Sequence, residues 1–279
     1  MLYIVTPVFN RINFTKQYLY ALNNQTTRNF KIVIVDDGST DGTSEMIKKN
    51  FPEVILLKEK GDLWWAEATN IGVKYSISNG ANYVMTLNDD TLPKPDFIEK
   101  MLYWSSLNPD VLLGAAALSH SSSEIIFGGN NISWKNRTIK PVLETLTIEE
   151  RFGLHEVNFF PGRGLLIPVE VFHQIGYYDS NNFPQTVADL DFTHRAARAG
   201  FKIFCNYDAK IIIFENESAN TYFKKNKSFK NFMMHLFSKK GGGNLFFFIK
   251  YAFKNCPRRH LFLFICRGLF GRIIGYWRA

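Results

Sequence analysis

The sequence predicts an α/β protein with a mostly parallel sheet flanked by helices. Short apolar, strand-like runs alternate with helix-like stretches over the first ninety residues. Parallel neighbouring strands need such a crossover segment between them, and helices usually supply it. The chain has 279 residues, of which 46% are hydrophobic, so it can bury a substantial core.

The expected elements follow in order along the first half of the chain. Apolar residues Phe14, Tyr18 and Leu22 share one face of the first helix, and Asn13 is expected to cap it. Pro7 is expected to end the regular part of the first strand. Strands are predicted over 2–5, 31–35, 54–57, 81–87 and 111–118, and helices over 13–22, 43–50, 67–78 and 95–107.

The second half is less regular. Residues 119–140 are rich in Ser, Asn and Gly, which predicts a surface loop or hairpin. Alanines after Asp189 favour a helix that ends near Gly200, so Asp189 is expected at its N-terminus, where the helix dipole stabilises an anion. A capping role is the alternative for Asp189. Residues 211–214 are predicted to form another strand.

Charge is divided unevenly along the chain. All 25 acidic residues lie at or before Glu217 with 20 of the 33 basic residues, which gives this part a net charge of −5. Residues 218–279 contain 13 basic residues and no acid. The sequence therefore predicts two chemically different segments, 1–217 and 218–279.

The cysteines and the N-terminus bear on the compartment. Cys205, Cys256 and Cys266 are widely spaced and lack metal-ligand spacing, which predicts reduced thiols. Met1 is followed directly by Leu-Tyr-Ile-Val, without a basic stretch or a cleavage site. We therefore expect no signal peptide and a cytoplasmic location.

Acidic residues follow two of the predicted strands. Asp36 and Asp37 follow the second strand, and Asp89 and Asp90 follow the fourth. Adjacent strand residues point to opposite faces, so Asp89 and Asp90 should reach different partners unless a turn intervenes. Ligands of open α/β sheets bind at such strand ends, and carboxylates there suit Mg²⁺ or Mn²⁺ carrying a phosphate. A surface turn with solvated acids is the alternative.

Five segments together resemble the family 2 glycosyltransferases with the GT-A fold. Each segment is weak alone, but their order and spacing over 1–217 are specific. The resemblance implies a GT-A (nucleotide-diphospho-sugar transferase) domain over 1–217, with a nucleotide-binding half over 1–115 and an acceptor-side half over 116–217. The segments are Thr6 to Asn10, Val35 to Thr43, the expected turn Asn70 to Gly72, Leu87 to Asp90 and Ala188 to Asp191.

The resemblance also implies an activity. The enzyme would be an inverting, metal-dependent glycosyltransferase of hexosyl or deoxyhexosyl type. It would move a sugar from a nucleotide diphosphate sugar, such as a UDP- or dTDP-sugar, to a hydroxyl of a glycan or lipid-linked acceptor in cell-surface polysaccharide synthesis. Mg²⁺ or Mn²⁺ would be the cofactor.

Residue roles carry over position by position. The nucleotide would be held by a set of six residues, and Asp90 would bind the metal. Asn88 stands where the family's DxD motif often has its first aspartate, which removes one charge. The nucleotide set is Thr6, Pro7, Phe9, Asn10, Asp37 and Asp89.

In the family's Glu-Asp motif, the aspartate is the general base. Here that residue is Asp189, while Ala188 stands in place of the glutamate. Asp191 lies two residues further on the same helix and therefore on another face, so we expect it to support the site or bind substrate. Relatives often carry a metal-binding histidine after the last strand; this chain has Glu215 and Asn216 there.

Three further residues are candidates for substrate binding. Trp65 either packs in the core, as paired tryptophans usually do, or lines the sugar pocket. Arg163, between two glycines, meets either a phosphate or sugar hydroxyl, or a nearby acid. Asn70 belongs to one of the family segments.

The basic segment predicts membrane association. Amphipathic, cationic and aromatic helices lie in membrane interfaces, so residues 222–279 are expected to dock on the anionic inner face of the cell membrane. Packing on the catalytic domain is the alternative. Apolar residues recur at helical spacing in Phe229, Phe232, Met233, Leu236 and Phe237.

Two other functions use similar features. A sugar-phosphate nucleotidyltransferase would need comparable acids and metal but would release pyrophosphate. A non-catalytic polybasic protein would bind membrane or nucleic acid through the basic segment. Nucleic acid is not an expected partner, because the rest of the chain is net acidic and contains no nucleic-acid-binding module.

Overall fold

The computed structural model describes residues 1–214 and 227–278. One large sheet is flanked by helices, and a small hairpin and three C-terminal helices complete the molecule. The strands are β1 Leu2–Val8, β2 Phe30–Asp36, β3 Ile55–Lys58, β4 Tyr83–Thr86, β5 Thr91–Pro93, β6 Leu112–Ser119, β7 Ile125–Phe127, β8 Asn130–Ser133, β9 Thr138–Pro141, β10 Leu154–Val157, β11 Leu165–Pro168 and β12 Ile203–Ile213. The helices are α1 Ile12–Asn23, α2 Thr43–Asn50, α3 Trp64–Ser78, α4 Phe97–Leu107, α5 Val169–Ile175, α6 Ala188–Arg198, α7 Phe229–Phe237, α8 Leu245–Asn255 and α9 Arg258–Arg278.

The main sheet is parallel in its first half and mixed in its second. Its order is β10-β12-β6-β11-β4-β1-β2-β3, with β5 beside β12 and β7 beside β6. Strands β4, β1, β2 and β3 run parallel, as the alternation of strands and helices predicts. Strand β11 enters antiparallel between β4 and β6, so the two parallel groups are joined by a reversed strand. The carboxyl ends of β1, β2 and β4 consequently meet at one edge.

Pro7 lies inside β1 and does not end it. It pairs with Val35 of β2. The Val5 carbonyl accepts from Leu87 on the β4 side, and the Val8 carbonyl accepts from Asp37 on the β2 side. Alternation places the missing N–H of Pro7 on the β4 side, beyond the last paired residue of that strand. The strand continues because no ladder hydrogen bond is lost.

Gly72 is part of α3, so the turn expected over 70–72 is wrong. A Cβ on Gly72 would lie 2.4 Å from Val5 Cγ1 and 3.1 Å from Val35 Cγ2. The absence of a side chain lets α3 pack directly on β1 and β2. A glycine in a helix interior is tolerated here because close packing offsets its weak helix propensity.

Other boundaries also differ from the prediction. Helix α1 begins at Ile12, so Asn13 is not its N-cap; Asp41 Oδ2 accepts from the Ile12 N–H at 3.0 Å. Strand β12 begins at Ile203, eight residues before the predicted start, and its pairing with β6 shifts register between Asn206 and Lys210. That irregularity interrupts the apolar alternation and explains why its first half is hard to predict.

The C-terminal helices pack on the sheet domain through α8. Tyr251 Oη lies 2.5 Å from His194 Nδ1 of α6, and Arg198 Nη1 donates to Asn255 Oδ1 at 2.8 Å. Helix α8 therefore packs on the sheet domain, as the alternative to membrane docking predicts. The predicted domain boundary at 217/218 falls outside the described residues. Within the described ranges, no helix is both long and apolar enough to cross a membrane.

Candidate active site

Asp89 and Asp90 lie in a turn directly after β4 and share one partner. Arg11 Nη1 lies 3.5 Å from Asp89 Oδ1 and 3.2 Å from Asp90 Oδ2. The turn that the prediction named as the exception is present, and it rotates the two carboxylates toward the same side. Thr15 Oγ1 also donates to Asp89 at 3.0 Å. Burial raises the pKa of Asp89 to about 6, while Arg11 acts against that shift.

Asp37 organises the loop that enters α3. Its carboxylate accepts hydrogen bonds from the backbone N–H groups of Leu63 and Trp64, at 3.0 to 3.1 Å. Trp64 has a φ of 63°, a left-handed conformation that is strained for a bulky residue. The acid therefore holds a strained backbone segment at the carboxyl edge of β2.

The other predicted nucleotide residues surround the end of β1. Thr6 is buried and its hydroxyl lies 2.6 Å from Tyr18 Oη. Phe9 is 51% exposed, and Asn10 Oδ1 accepts from the backbone of Thr40 at 2.8 Å. The exposed ring of Phe9 is available for stacking, whereas Thr6 is part of the support beneath it.

Trp65 connects the β4 turn to the start of α6. Its indole Nε1 donates to Asn88 Oδ1 at 2.9 Å. A Cβ on Gly162 would lie 2.5 Å from the Trp65 ring and 3.4 Å from Asp189 Cβ. The ring thus lies against the Gly162 backbone, beside the predicted base.

Asp189 lies on the first turn of α6 and is held by backbone groups. Gly162 N donates to its Oδ2 at 3.0 Å, and Leu190 N donates to its Oδ1 at 2.9 Å. Burial raises the pKa of Asp189, and the Gly162 hydrogen bond and the Arg163 charge act against that shift. The side chain is half-buried and carries no cationic hydrogen-bond partner among the described residues.

Arg163 is a buried cation on which the charges of Asp90 and Asp189 both act. Burial lowers the pKa of Arg163, and the charges of Asp90 and Asp189 act against that shift. Its guanidinium lies 5.7 Å from the Phe127 ring centre, and its Nε is shielded from water without a hydrogen-bond partner among the described residues. These contacts do not decide between the two sequence interpretations, and the substrate-binding role of Arg163 stays a prediction.

Asn70 and Asp191 differ from their predicted roles as substrate contacts. Asn70 is buried, and its amide exchanges hydrogen bonds with the backbone of Tyr178 at 2.9 and 3.0 Å. Asp191 is fully buried and pairs with Arg195 and Lys254, each at 2.9 Å. Both side chains are occupied by structural partners, so neither faces the cleft.

Two site residues escape sequence reasoning. Arg11 directly follows the Thr6 to Asn10 segment, and a basic residue there is a signal that could have identified it. Gln185 accepts from the backbone N–H of Trp65 at 3.1 Å, across 120 residues of sequence. No local pattern indicates that contact.

The acids fit a divalent cation only together with a phosphate ligand. Within residues 1–214 and 227–278, no group of three or more His, Cys, Asp or Glu side chains is placed to hold a metal. Mg²⁺ commonly binds through one or two carboxylates, with substrate phosphates and water completing its shell. Asp90, half-buried at the strand end and 3.2 Å from Arg11 Nη1, would be the carboxylate ligand of such an ion. The predicted alternatives Glu215 and Asn216 lie outside the described residues.

The sequence model of glycosyl transferase family 2 matches residues 3–174. This chain belongs to that family. The matched part includes the acids after β2 and β4 but ends before Asp189. The sequence-based prediction of a family 2 glycosyltransferase is confirmed.

Curated relatives also match part of the chain. It is 36% identical over 172 residues to an uncharacterized glycosyltransferase of Rickettsia bellii, which is 57% of this chain and 24% of that protein. It is 32% identical over 101 residues to glycosyltransferase GlyA of Streptococcus pneumoniae, covering 35% and 14%. The match to the Rickettsia protein thus spans about a quarter of that relative's length.

Solved structures agree with the fold of this family 2 chain. S. aureus TarS has a TM-score of 0.62 at 11% identity, over 99% of this chain and 54% of TarS. TarS 1–349 in complex with UDP-GlcNAc has a TM-score of 0.60 at 12% identity, over 99% and 91%. The fold is therefore GT-A-like, with C-terminal helices present.

Proposed function

We propose that the protein is an inverting glycosyltransferase that uses Mg²⁺ or Mn²⁺. It moves a sugar from a nucleoside diphosphate sugar to a hydroxyl of a glycan or lipid-linked acceptor in cell-surface polysaccharide synthesis. The main support is that Trp65 links the turn after β4 to Asp189, which is far away in sequence. The Trp65 indole donates to Asn88, and its ring packs against Gly162, whose N–H donates to Asp189. The complex of TarS with UDP-GlcNAc supports a UDP-sugar as the first donor to test.

Asp189 acts as the general base in this proposal. A carboxylate oxygen of Asp189 takes the proton of the acceptor hydroxyl while the hydroxyl oxygen bonds to the anomeric carbon. The bond from that carbon to the diphosphate breaks on the opposite face, and its electron pair leaves with the diphosphate. Inversion at the anomeric carbon follows. The raised pKa of Asp189 strengthens it as a base.

The basic residues and the loop before α3 prepare the donor. Arg11, which pairs with Asp89 and Asp90, is placed to compensate the charge of a bound diphosphate. Asp37 fixes the backbone of Trp64, and the donor base binds along this edge. Mg²⁺ or Mn²⁺ at Asp90 would supply further positive charge for the departing diphosphate.

A panel of nucleotide sugars tests the donor assignment. Thermal unfolding is measured with each compound, with and without Mg²⁺, for wild type, Asp90→Asn and the surface control Asp96→Asn. A cognate donor at 100 times its dissociation constant stabilises by about 2.7 kcal/mol. We expect Asp90→Asn to lose the metal-dependent part of the stabilisation by the nucleotide sugar, and Asp96→Asn to retain it. Absence of stabilisation by every nucleotide sugar, or release of pyrophosphate during turnover, contradicts the proposal.

We further propose that the C-terminal helices dock on an anionic membrane. Helix α9 exposes Phe262 (76%), Phe270 (60%) and Trp277 (49%), with the exposed Cys266 and Ile273 between them at helical spacing. Such a stripe next to 13 basic residues and no acid fits a cationic interface helix.

Sedimentation with phosphatidylserine vesicles at low salt tests the docking. The variant Phe262→Ser/Phe270→Ser should pellet several-fold less than wild type. Phe152→Ser removes a similarly exposed phenylalanine from the sheet domain and should pellet normally. Equal pelleting of both variants contradicts this surface.

A further inference from the structure

A cavity of about 390 Å³ lies where the C-terminal helices meet the sheet domain. Its walls come from hairpin β8–β9, the first turn of α6, and helices α8 and α9. Pockets for small molecules begin at about this size. Apolar side chains form most of the wall, among them Ile132, Phe159, Leu190, Phe248 and Phe264. An occupant must therefore present an apolar part to this wall.

The charged residues that line the cavity are all arginines. They are Arg137, Arg267 and Arg272, and none of the described residues in the wall is acidic. The whole of residues 218–279 contains no acid that could serve as a counter-ion. The cavity thus combines an apolar wall with three arginines that form no salt bridge with a described residue.

Arg272 is the most enclosed of the three. Its guanidinium lies 3.7 Å from the centre of the Phe248 ring, and Nη1 donates to the Gly268 carbonyl at 3.2 Å. Its Nε is shielded from water and has no hydrogen-bond partner among the described residues. Burial lowers the pKa of Arg272 to about 10, so the group stays charged at neutral pH. A charged guanidinium in an otherwise apolar wall favours an anionic ligand.

The cavity adjoins the proposed base. Val187 and Leu190 line it, and Asp189 lies between them on the same turn of α6. The cavity therefore adjoins the turn that carries the proposed base, while the Asp189 carboxylate itself is held at Gly162. This location points to the acceptor and not to the donor, whose predicted contacts lie at the ends of β1, β2 and β4.

We propose that the cavity binds the lipid-phosphate part of the acceptor. A hydrocarbon chain lies against the apolar wall, and its phosphate pairs with Arg272, with Arg137 and Arg267 nearby. The acceptor hydroxyl then reaches Asp189. The existence of the binding site stands on the cavity alone, whereas its role as acceptor site rests on the transfer proposed above.

Dodecyl phosphate, used below its critical micelle concentration, is the probe. Calorimetric titration of the full-length protein should show binding at least about tenfold tighter than to inorganic phosphate or dodecanol, since each lacks one of the two recognised features. Equal affinity for inorganic phosphate would reduce the site to an anion site, and equal affinity for dodecanol to an apolar pocket. Either result overturns the proposal.

Two arginine variants distinguish binding in the cavity from general electrostatic attraction of the phosphate to the basic helices. Arg272→Gln should weaken dodecyl phosphate binding about tenfold or more. Arg258→Gln removes the same charge from the same helix but outside the wall, and should change affinity less than about twofold. Equal weakening by both variants overturns the proposal.

Two glycine variants test occupancy without removing charge. A Cβ on Gly271 or Gly275 meets no atom within 4 Å, so a leucine side chain starts in open space at both positions. Of these two glycines, only Gly271 lines the cavity. Gly271→Leu should weaken binding about tenfold, and Gly275→Leu should leave it unchanged. Both replace glycine in a helix and so favour folding. Normal binding by Gly271→Leu refutes the assignment.

Nucleotide-sugar stabilisation, measured on the same samples, separates the two proposals. Donor stabilisation without any dodecyl phosphate binding overturns the cavity proposal and supports the transferase. Dodecyl phosphate binding that depends on Arg272, in a protein that no nucleotide sugar stabilises, supports the binding site and overturns the transferase.

Discussion

Two faces of helix α6 carry two acids with opposite surroundings. Asp189 faces the cleft, where only backbone N–H groups donate to it. Asp191 is turned toward the C-terminal helices, where Arg195, Lys254 and Asn255 hold it. Residues two apart on a helix point about 200° away from each other. One short segment can therefore place a reactive carboxylate and anchor the C-terminal helices at the same time.

Asp189→Asn gives the largest expected effect. The amide keeps the size of the side chain and one acceptor oxygen for Gly162 N–H, so the fold should persist. Loss of the general base should lower kcat by about 10² to 10⁴-fold, while the donor's Kd changes little. Steady-state kinetics at saturating donor measure this. Near wild-type turnover would show that another group takes the proton.

Asp191→Asn should act on stability instead of chemistry. The variant removes the carboxylate that pairs with Arg195 and Lys254, of which Lys254 keeps Asp179 as a partner at 2.6 Å. Removing one partner of a buried ion pair typically costs about 3 to 5 kcal/mol, and the part-exposed Lys254 places the expectation near the lower value. Denaturant unfolding measures the loss, and nucleotide-sugar binding at low temperature should be retained. Unchanged stability would contradict the anchoring role of this face.

The stability of the protein should also depend on pH through His194, which lies on the face of α6 that packs on the C-terminal helices. Burial lowers the pKa of His194 from 6.5 to about 4; Arg198 adds to the shift and Asp191 opposes it. The unfolded chain takes up a proton at this residue before the folded chain does. Stability is therefore full above pH 6.5 and falls as the pH drops toward 4, by at most about 3 kcal/mol.

His194→Phe is the control for this pH dependence. Phenylalanine removes the titrating group but keeps an aromatic ring beside Trp134 and Tyr251. The difference in unfolding free energy between pH 7 and pH 4.5 should be smaller in the variant than in wild type. An identical pH dependence in both proteins would exclude His194 as its source.

The comparison also shows what the sequence can predict. Helix α2 has the predicted bounds, because its apolar spacing and the flanking Gly42 are local signals. The link from the turn after β4 to Asp189, through Trp65 and Gly162, agrees with the site that the family resemblance implies. The roles of Asn70 and Asp191 do not, because their partners, the Tyr178 backbone and Lys254, come from distant segments that no periodicity indicates.

A smaller contact links the C-terminal helices to the donor side. Lys239 Nζ lies 4.7 Å from the Trp64 ring centre, and the Trp64 N–H donates to Asp37. An exposed cation–π contact contributes about 0.5 to 1 kcal/mol. Lys239→Gln should therefore weaken nucleotide-sugar binding by about two- to fivefold if the contact helps hold the strained Trp64 backbone.

Lys230→Gln supplies the matched control for that contact. Lys230 is exposed on α7 and carries the same charge, so its loss changes the general electrostatics equally. Titration of the donor at two salt concentrations distinguishes the two effects, because a general charge effect is screened by salt and should appear in both variants. A loss of affinity confined to Lys239→Gln would show that the C-terminal helices reach the donor site through Trp64, whereas equal losses would confine their role to the acceptor side of α6.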